Sequence, residues 1–204
     1  MNKIITISRE FGSGGRELAK RLADELGYSY YDKEIITKIA QESDLNENYV
    51  QNVLNNDIIT QFNFTFAHSF SNINCVNTSI EILNLQNKII KELASTGNCV
   101  IVGRAADIIL EDYKPFKIFV YADDVFKIER IKNRERDKEK LSNKEILKQI
   151  NKIDKIRASN YDLISSNTWG DKSHYDLCIN TSNIEIKKII PSLAKYISEY
   201  FESK

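Results

Sequence analysis

The fold is decided by one stretch near the start of the chain, Ile4-Ile5-Thr6-Ile7-Ser8-Arg9-Glu10-Phe11-Gly12-Ser13-Gly14-Gly15-Arg16-Glu17-Leu18. Residues 3–8 are mostly apolar and β-branched, a run typical of a buried parallel strand. Glycines dominate residues 12–15, and from Arg16 to Leu26 apolar residues recur at helical spacing. Gly27 follows where a helix C-cap is expected. The stretch therefore predicts a strand, a glycine turn and a helix, the opening unit of an α/β sheet.

The glycine turn has the composition of a phosphate-binding loop. Successive glycines let backbone N–H groups point into one concavity, and the N-terminus of the following helix adds partial positive charge. A cation at a helix start opposes the helix dipole, so we expect Arg16 to meet an anion. The alternative is a purely structural turn, because a tight strand–helix connection also favours glycine. The residues predicted to bind phosphate are Gly12, Ser13, Gly14, Gly15, Arg16 and Glu17.

The rest of the chain alternates apolar runs with helix-length segments. Strands are predicted over residues 3–8, 28–31, 99–102, 116–121 and 177–179. Helices are predicted over residues 16–26, 32–40, 76–96, 123–160 and 184–201, and Asp32 is expected to cap the second of them. This order predicts an α/β three-layer sandwich, in which a five-stranded parallel sheet is flanked by helices.

Composition excludes several classes of protein. The 204 residues carry 29 Lys and Arg against 29 Asp and Glu, a formal net charge of zero. This balance argues against a nucleic-acid partner, which calls for a basic surplus. With 42% hydrophobic and 28% charged residues, the chain is an ordinary globular protein.

Residues 44–74 are polar and rich in Asn, and we expect short helices in an inserted segment there.

Targeting and redox signals are weak. The first apolar run is too short for a signal peptide, and no run of 18 apolar residues exists, so a cytoplasmic protein without a membrane partner is expected. The cysteines Cys75, Cys99 and Cys178 are far apart and are expected to be buried, reduced thiols. An oligomer is possible, but nothing in the sequence indicates one.

Four segments occur in order along nearly the whole chain. Residues 7–17 are the first, and Gly27-Tyr28-x-Tyr30-Tyr31-Asp32-Lys33-Glu34-Ile35-Ile36 is the second. The others are Val102-Gly103-Arg104-Ala105-Ala106-Asp107, and Trp169-Gly170-Asp171 ahead of Tyr175-Asp176-Leu177-Cys178-Ile179-Asn180-Thr181. Together they resemble the cytidylate kinase-like branch of the P-loop nucleoside monophosphate kinases. The resemblance implies a single domain over residues 1–204, with a helical acceptor-binding insertion at 32–98 and a lid at about 130–142.

The resemblance also assigns an acceptor site. It implies that Arg104 grips the acceptor's phosphate, and Arg104 follows a predicted strand at the sheet edge where ligands of open α/β folds bind. Asp32 and Lys33 follow another strand, and the resemblance places the acceptor nucleoside there. Asp154 and Arg157 match a pair that recognises the pyrimidine and its phosphate. The alternatives are a strand-end cap for Arg104 and a helix cap for Asp32.

One position departs from the pyrimidine-binding pattern. Relatives carry an arginine four residues before the Asp of the Asp-x-x-Arg pair, and Ile150 stands there in this chain. Recognition of a pyrimidine by that route is therefore weakened.

A cluster of arginines marks the lid. Arg130, Arg134 and Arg136, together with Arg16, are the cations that the resemblance implies close over the transferring phosphate. Acidic neighbours alternate with them, so a solvated helix face is the alternative.

The glycine turn departs from the Walker pattern Gly-x-x-x-x-Gly-Lys-Ser/Thr. Arg9 stands at the first Gly, Gly15 at the Lys, and Glu17 where relatives carry a small hydroxyl. Arg16, or Arg9 from the strand end, is the expected substitute for the missing lysine. Ser13 and Glu17 are the predicted Mg²⁺ contacts, since Mg²⁺ often needs one carboxylate plus phosphates.

Three functions remain open from the sequence. The first is ATP-dependent phosphoryl transfer to a nucleoside monophosphate, CMP or dCMP by resemblance, with ATP and Mg²⁺ as cofactors and small nucleotides as partners. The second is a catalytically weak nucleotide-binding regulator, which the missing lysine favours. The third is a kinase for another small metabolite, which Ile150 favours.

Overall fold

A computed structural model of the chain describes residues 2–55, 73–134 and 141–203. Its five strands are all parallel, as predicted, and their spatial order is β2-β3-β1-β4-β5. They are β1 (Ile4–Arg9), β2 (Ser29–Tyr31), β3 (Cys99–Val102), β4 (Phe116–Tyr121) and β5 (Leu177–Asn180). Because β1 lies at the centre, the turn that follows it emerges in the middle of the sheet edge.

Helices join the strands along the chain. They are α1 (Gly15–Leu26), α2 (Glu34–Ser43), α3 (Glu47–Asn55), α4 (Ile73–Ser95), α5 (Ala106–Ile109), α6 (Asp124–Arg134), α7 (Asn143–Asp162) and α8 (Ile186–Glu202). None of these described helices combines the length and the apolar character needed to cross a bilayer.

Alternating side chains of the strands build two cores. Ile5 and Ile7 of β1 face α1 and α8, in a buried cluster that includes Leu18 and Leu22. Ile4 faces the other way, into a cluster supplied by α2, α3 and α4. The sheet therefore lies between two helical layers, which confirms the predicted three-layer sandwich.

The helical stretch predicted over residues 123–160 is divided in the structure. The structure has two helices there, α6 and α7, and the second begins at a cap formed by Ser142. The Ser142 hydroxyl accepts the Glu145 amide, while the Glu145 carboxylate accepts the Ser142 amide. This reciprocal cap is a start signal for a new helix that the charged composition of the region concealed.

The N-cap role predicted for Asp32 is wrong. Helix α2 begins at Glu34 with Lys33 at the cap position, and no side chain caps its amides. The Asp32 carboxylate binds arginines instead, and its own amide donates to Glu34. The carboxylate that could have capped the helix amides is thus occupied by guanidinium groups.

The helix predicted over 76–96 begins at Ile73, slightly earlier than expected. In the segment 44–74, the predicted short helices are represented by α3. Phe62, Phe64, Phe66 and Phe70, and the remainder of that segment up to residue 72, lie outside the described residues.

Candidate functional site

A cavity of about 390 Å³ opens at the carboxyl edge of the sheet, beside the ends of β1 and β3. This is the edge at which open α/β sheets bind their ligands. Its charged lining consists of Arg9, Arg16, Asp32, Lys33, Arg104 and Arg157. Five cations thus surround one carboxylate, so the cavity is suited to an anionic ligand.

The glycine turn lies next to this cavity. Gly12 and Gly14 have φ angles of 81° and 80°, a left-handed conformation that other residues adopt at a cost. Gly14 is the N-cap of α1 and has no side chain to cap its amides, and the Gly15 amide donates a long hydrogen bond of 3.4 Å to Ser13 Oγ. Those amides have no intrahelical acceptor, so the end of α1 offers several N–H donors to an anion.

Arg9 occupies the space that a Walker lysine would need. A Cβ atom on Gly15 would lie 2.6 Å from Arg9 Cβ and 3.2 Å from Val120 Cβ. Residue 15 is therefore restricted to glycine as long as residue 9 carries a side chain. The two departures from the Walker pattern, at residues 9 and 15, therefore have one steric cause. Neither position reveals this when it is considered alone.

The head of Arg9 reaches the cavity wall. Its guanidinium lies 3.7 Å from the Asp32 carboxylate, and the side chain is 15% exposed. It rests on Gly103, where a Cβ atom would overlap Arg9 Nη1. Burial and the neighbouring Arg157 lower the pKa of Arg9 to about 9.

The anion that Arg16 meets in this structure is Asp32. Arg16 Nε lies 2.5 Å from Asp32 Oδ2, and half of the Arg16 side chain is exposed. Asp32 also accepts a long hydrogen bond from Tyr30, at 3.5 Å. One buried carboxylate is therefore shared between Arg9 and Arg16, which leaves positive charge in excess.

Arg104 is held in a strained backbone. Gly103, Arg104 and Ala105 have φ angles of 71°, 60° and 49°, three left-handed residues in succession. Such strain in non-glycine residues clusters at functional sites. Arg104 Nη1 donates to Leu54 O and to Asn55 Oδ1, each at 3.3 Å, and burial lowers the pKa of Arg104 to about 10. The strain thus points a desolvated cation at the cavity and at the end of α3.

Asp154 and Arg157 fasten α7 to the loop. Asp154 Oδ1 accepts the Phe11 amide at 2.8 Å and Arg157 Nη1 at 3.0 Å. Arg157 Nη1 also donates to the Arg9 carbonyl at 3.0 Å. Arg157 lines the cavity, whereas Asp154 is not among its lining residues. Arg157 therefore lies with other predicted acceptor residues in the cavity wall. Asp154 instead fixes the loop by accepting the Phe11 amide.

Ile150 contributes no polar group to the cavity. It is buried against Ile131 and Ile146 in a small apolar cluster between α6 and α7. The arginine that relatives carry at this position is thus replaced by a core residue.

Arg130 binds the loop directly. Its Nη1 donates to the Ser13 carbonyl and to Thr181 Oγ1, each at 3.2 Å, and its Nη2 donates to the Thr181 carbonyl. Thr181 Oγ1 in turn donates to the Ser13 carbonyl at 2.6 Å. Arg134 is exposed on α6, and Arg136 lies outside the described residues. Of the predicted lid arginines, Arg130 is thereby joined to the glycine turn.

The two predicted Mg²⁺ contacts have partners within the protein. Ser13 Oγ donates to the Glu10 carbonyl at 2.8 Å, and Glu17 accepts Arg21 Nε at 2.8 Å on the surface of α1. Within the described ranges, no cluster of three or more His, Cys, Asp or Glu side chains could hold a metal ion. This donor set fits only a Mg²⁺ ion whose other ligands are phosphates and water.

A buried acid to which the sequence pattern gave no role lies beside the cavity. Asp107 is 2% exposed, and its Oδ2 accepts the Tyr161 hydroxyl at 2.8 Å. Tyr161 belongs to the cavity wall. Burial raises the pKa of Asp107 above its ordinary value. The acid belongs to the motif Val102–Asp107. Its hydrogen-bond partner Tyr161 is 54 positions away in the sequence, so the motif alone does not reveal the contact.

Replacing Asp107 by asparagine is expected to change how stability depends on pH. The raised pKa means that folding disfavours the carboxylate, so wild-type stability falls as pH rises from about 4 through the native pKa. Asp107→Asn keeps an oxygen acceptor for Tyr161 and does not ionise. Relative to wild type, the variant should gain up to about 1.4 kcal/mol of unfolding free energy per pH unit in that window. Urea denaturation at pH 4 to 7 measures this, and a constant offset would contradict it.

Comparisons with known proteins place the chain in a family and show related structures. A model of the cytidylate kinase-like family matches residues 4–183. The cytidylate kinase of Saccharolobus islandicus is 26% identical over 196 residues, covering 96% of this chain and 90% of that protein. A crystal structure of an uncharacterized protein from Eubacterium ventriosum has 27% identity and a TM-score of 0.69, covering 96% of this chain and 98% of that one. Shikimate kinase from Bacteroides thetaiotaomicron shares the fold, with 15% identity, a TM-score of 0.57 and 99% coverage of both chains.

Proposed function

Because the chain belongs to the cytidylate kinase-like family, we propose that it transfers a phosphoryl group from ATP to a nucleoside monophosphate, with CMP or dCMP as the acceptor. The observation that carries this proposal is the cavity beside the glycine turn, whose wall holds Arg9, Arg16, Arg104 and Arg157 around Asp32. The name of the Saccharolobus relative, a cytidylate kinase, supports the choice of acceptor.

The donor side is the glycine turn. The amides at the start of α1 are suited to the phosphates of ATP, and Arg130 holds the turn in shape through the Ser13 carbonyl. Glu17 and Ser13 are the protein groups proposed to hold a Mg²⁺ ion bound with ATP, which would supply charge neutralisation at the phosphates. Arg134 and Arg136 are proposed to approach the same phosphates from the lid.

The acceptor side is the cavity. Arg104 and Arg157 are proposed to bind the acceptor's phosphate, since paired guanidinium groups match the geometry of phosphate oxygens. Lys33 and Asp32 border the space for the nucleoside. Gln86 is buried in the same wall, and its side-chain oxygen has no hydrogen-bond partner among the described residues, so it is suited to a polar base edge.

The reaction needs positioning and charge neutralisation more than proton transfer. An acceptor phosphate is already anionic and attacks without a strong general base. The excess of cations in the wall would offset repulsion between the donor and acceptor phosphates. The protein's contribution is then to hold the two anions in line and to exclude water.

Two alternative functions rest on specific observations. Gly15 has no room for a lysine side chain, which favours a catalytically weak nucleotide-binding regulator. Ile150 is buried in an apolar cluster, which favours an acceptor other than a pyrimidine nucleotide and hence a kinase for another small phosphorylated or hydroxylated metabolite.

The experiment that tests the proposal is ADP release from ATP and Mg²⁺ across a panel of nucleoside monophosphates. CMP-dependent turnover is expected, and it should fall at least tenfold in Arg16→Ala. Lys20→Ala is the control, because Lys20 lies one turn further along α1 and pairs with the exposed Asp24 outside the cavity. Thermal stabilisation by ATP without turnover on any acceptor would instead identify a nucleotide-binding regulator.

A further inference from the structure

Arg9 is the one charged residue of the cavity wall whose backbone belongs to the central strand of the sheet. It is the last residue of β1, and its side chain passes over Gly15 at the start of α1. The chain therefore places a long cation at the position where the Walker pattern has its first glycine.

Two glycines make room for this side chain. A Cβ atom on Gly15 would meet the aliphatic stem of Arg9, and a Cβ atom on Gly103 would overlap its guanidinium. Gly103 also has a left-handed φ of 71°, so the turn after β3 is shaped around the arginine head. Contacts at both ends fix the path of the side chain from the loop into the cavity.

The charge of Arg9 is only partly balanced. Its carboxylate neighbour is Asp32 at 3.7 Å, and Asp32 is in closer contact with Arg16, at 2.5 Å. Arg157 and Arg104 act on Arg9 as like charges. A largely buried cation with an incomplete counter-charge is stabilised by an additional anion.

The surroundings of the guanidinium decide which anion that is. Asp32, Gly103, Arg104 and Arg157 all line the cavity, whereas the amides proposed to bind the donor phosphates belong to the start of α1. At Gly15 the nearest atoms of Arg9 are Cβ and Cγ of its stem, whereas at Gly103 they belong to its guanidinium. Its head therefore belongs to the acceptor side of the site.

We propose that Arg9 binds the acceptor's phosphate together with Arg104 and Arg157, and that it does not replace the Walker lysine on the donor. The identity of the acceptor rests on the proposed function, but the binding of a phosphate group does not. In this arrangement, the space beside residue 15 holds the stem of an arginine that binds the acceptor. The Walker pattern has a lysine for the donor at residue 15 instead.

Calorimetric titration tests the proposal with three probes: CMP, inorganic phosphate and ATP with Mg²⁺. In Arg9→Met, the Kd for CMP and for phosphate should rise at least tenfold, while the Kd for ATP changes less than twofold. Arg9→Lys keeps the charge and the stem, and should fall between wild type and Arg9→Met. Lys20→Met is the control, because it removes a cation from an exposed ion pair with Asp24 outside the cavity.

The outcomes separate this proposal from the proposed function. Loss of ATP affinity with unchanged CMP and phosphate affinity would overturn it, as would three unchanged affinities. Phosphate binding that depends on Arg9, in a protein that does not turn over CMP, would support the site and refute the CMP kinase. If Arg9→Met does not fold, Arg9→Lys and Gly103→Ala, which displaces the guanidinium without removing it, take its place. Undiminished phosphate affinity in both would overturn the proposal.

Discussion

Arg104→Met is expected to lower kcat/KM for the acceptor by about 10²- to 10³-fold, with little change in KM for ATP. Arg104 is a desolvated cation in the cavity wall, held there by a left-handed backbone. Removing one partner of a buried charged contact costs 2–5 kcal/mol, and about 1.4 kcal/mol corresponds to a factor of ten. Steady-state ADP release with varied acceptor and varied ATP measures the effect.

The backbone strain at Arg104 provides a control that separates activity from stability. Arg104→Gly removes the same guanidinium but relieves a left-handed conformation, which costs other residues roughly 1–2 kcal/mol. It should lose activity as Arg104→Met does while unfolding at a higher denaturant concentration than Arg104→Met. Activity close to wild type in either variant would show that Arg104 does not contact the acceptor.

Gly15→Lys is expected to destabilise the protein, although it restores the Walker lysine. The new Cβ atom would meet Arg9 Cβ at 2.6 Å and Val120 Cβ at 3.2 Å in the core of the sheet. Overpacking of this kind costs about 1–3 kcal/mol, or roughly 2–12 °C in Tm for a domain of this size. Urea denaturation of the purified variant measures the loss directly.

A second substitution should reverse that loss. Arg9→Gly removes the stem that blocks residue 15, so the double variant Arg9→Gly/Gly15→Lys should regain at least about 1 kcal/mol relative to the sum of the single variants. Val120 remains in place, so the recovery is partial. Strict additivity of the two substitutions would contradict the steric exclusion between residues 9 and 15.

The periodicity of the sequence predicted the architecture well. Buried parallel strands are continuous apolar runs, and residues 99–102 and 116–121 show this so clearly that the structure reproduces both bounds. The chain also carries helices that end in glycine, as α1 does at Gly27. Helix boundaries that depend on a side-chain contact were harder to predict. Ser142 is one of many polar residues in its region, and its hydrogen bonds with Glu145 are what mark the start of α7.

For the cavity, the sequence predicted which strand ends lie together better than which side chains contact each other. Strand ends converge on one sheet edge, which is why Asp32 and Arg104 could be placed together from the sequence. Partners across the fold are set by packing, and these were missed. Asp154 holds the Phe11 amide over a separation of 143 residues, and Arg9 depends on glycines that follow two different strands.

The contact between Arg104 and the end of α3 links ligand occupancy to the docking of that helix. Arg104 Nη1 donates hydrogen bonds to Leu54 O and Asn55 Oδ1 at the end of α3. An anion that accepts a hydrogen bond from this nitrogen therefore competes with α3 for it. Leu54 O also accepts Asn160 Nδ2 at 3.3 Å, so the carbonyl is not left orphaned when Arg104 departs. The exchange therefore costs little free energy. Because the coupling between two sites is reciprocal, any change that undocks α3 also raises the affinity of the cavity for the anion.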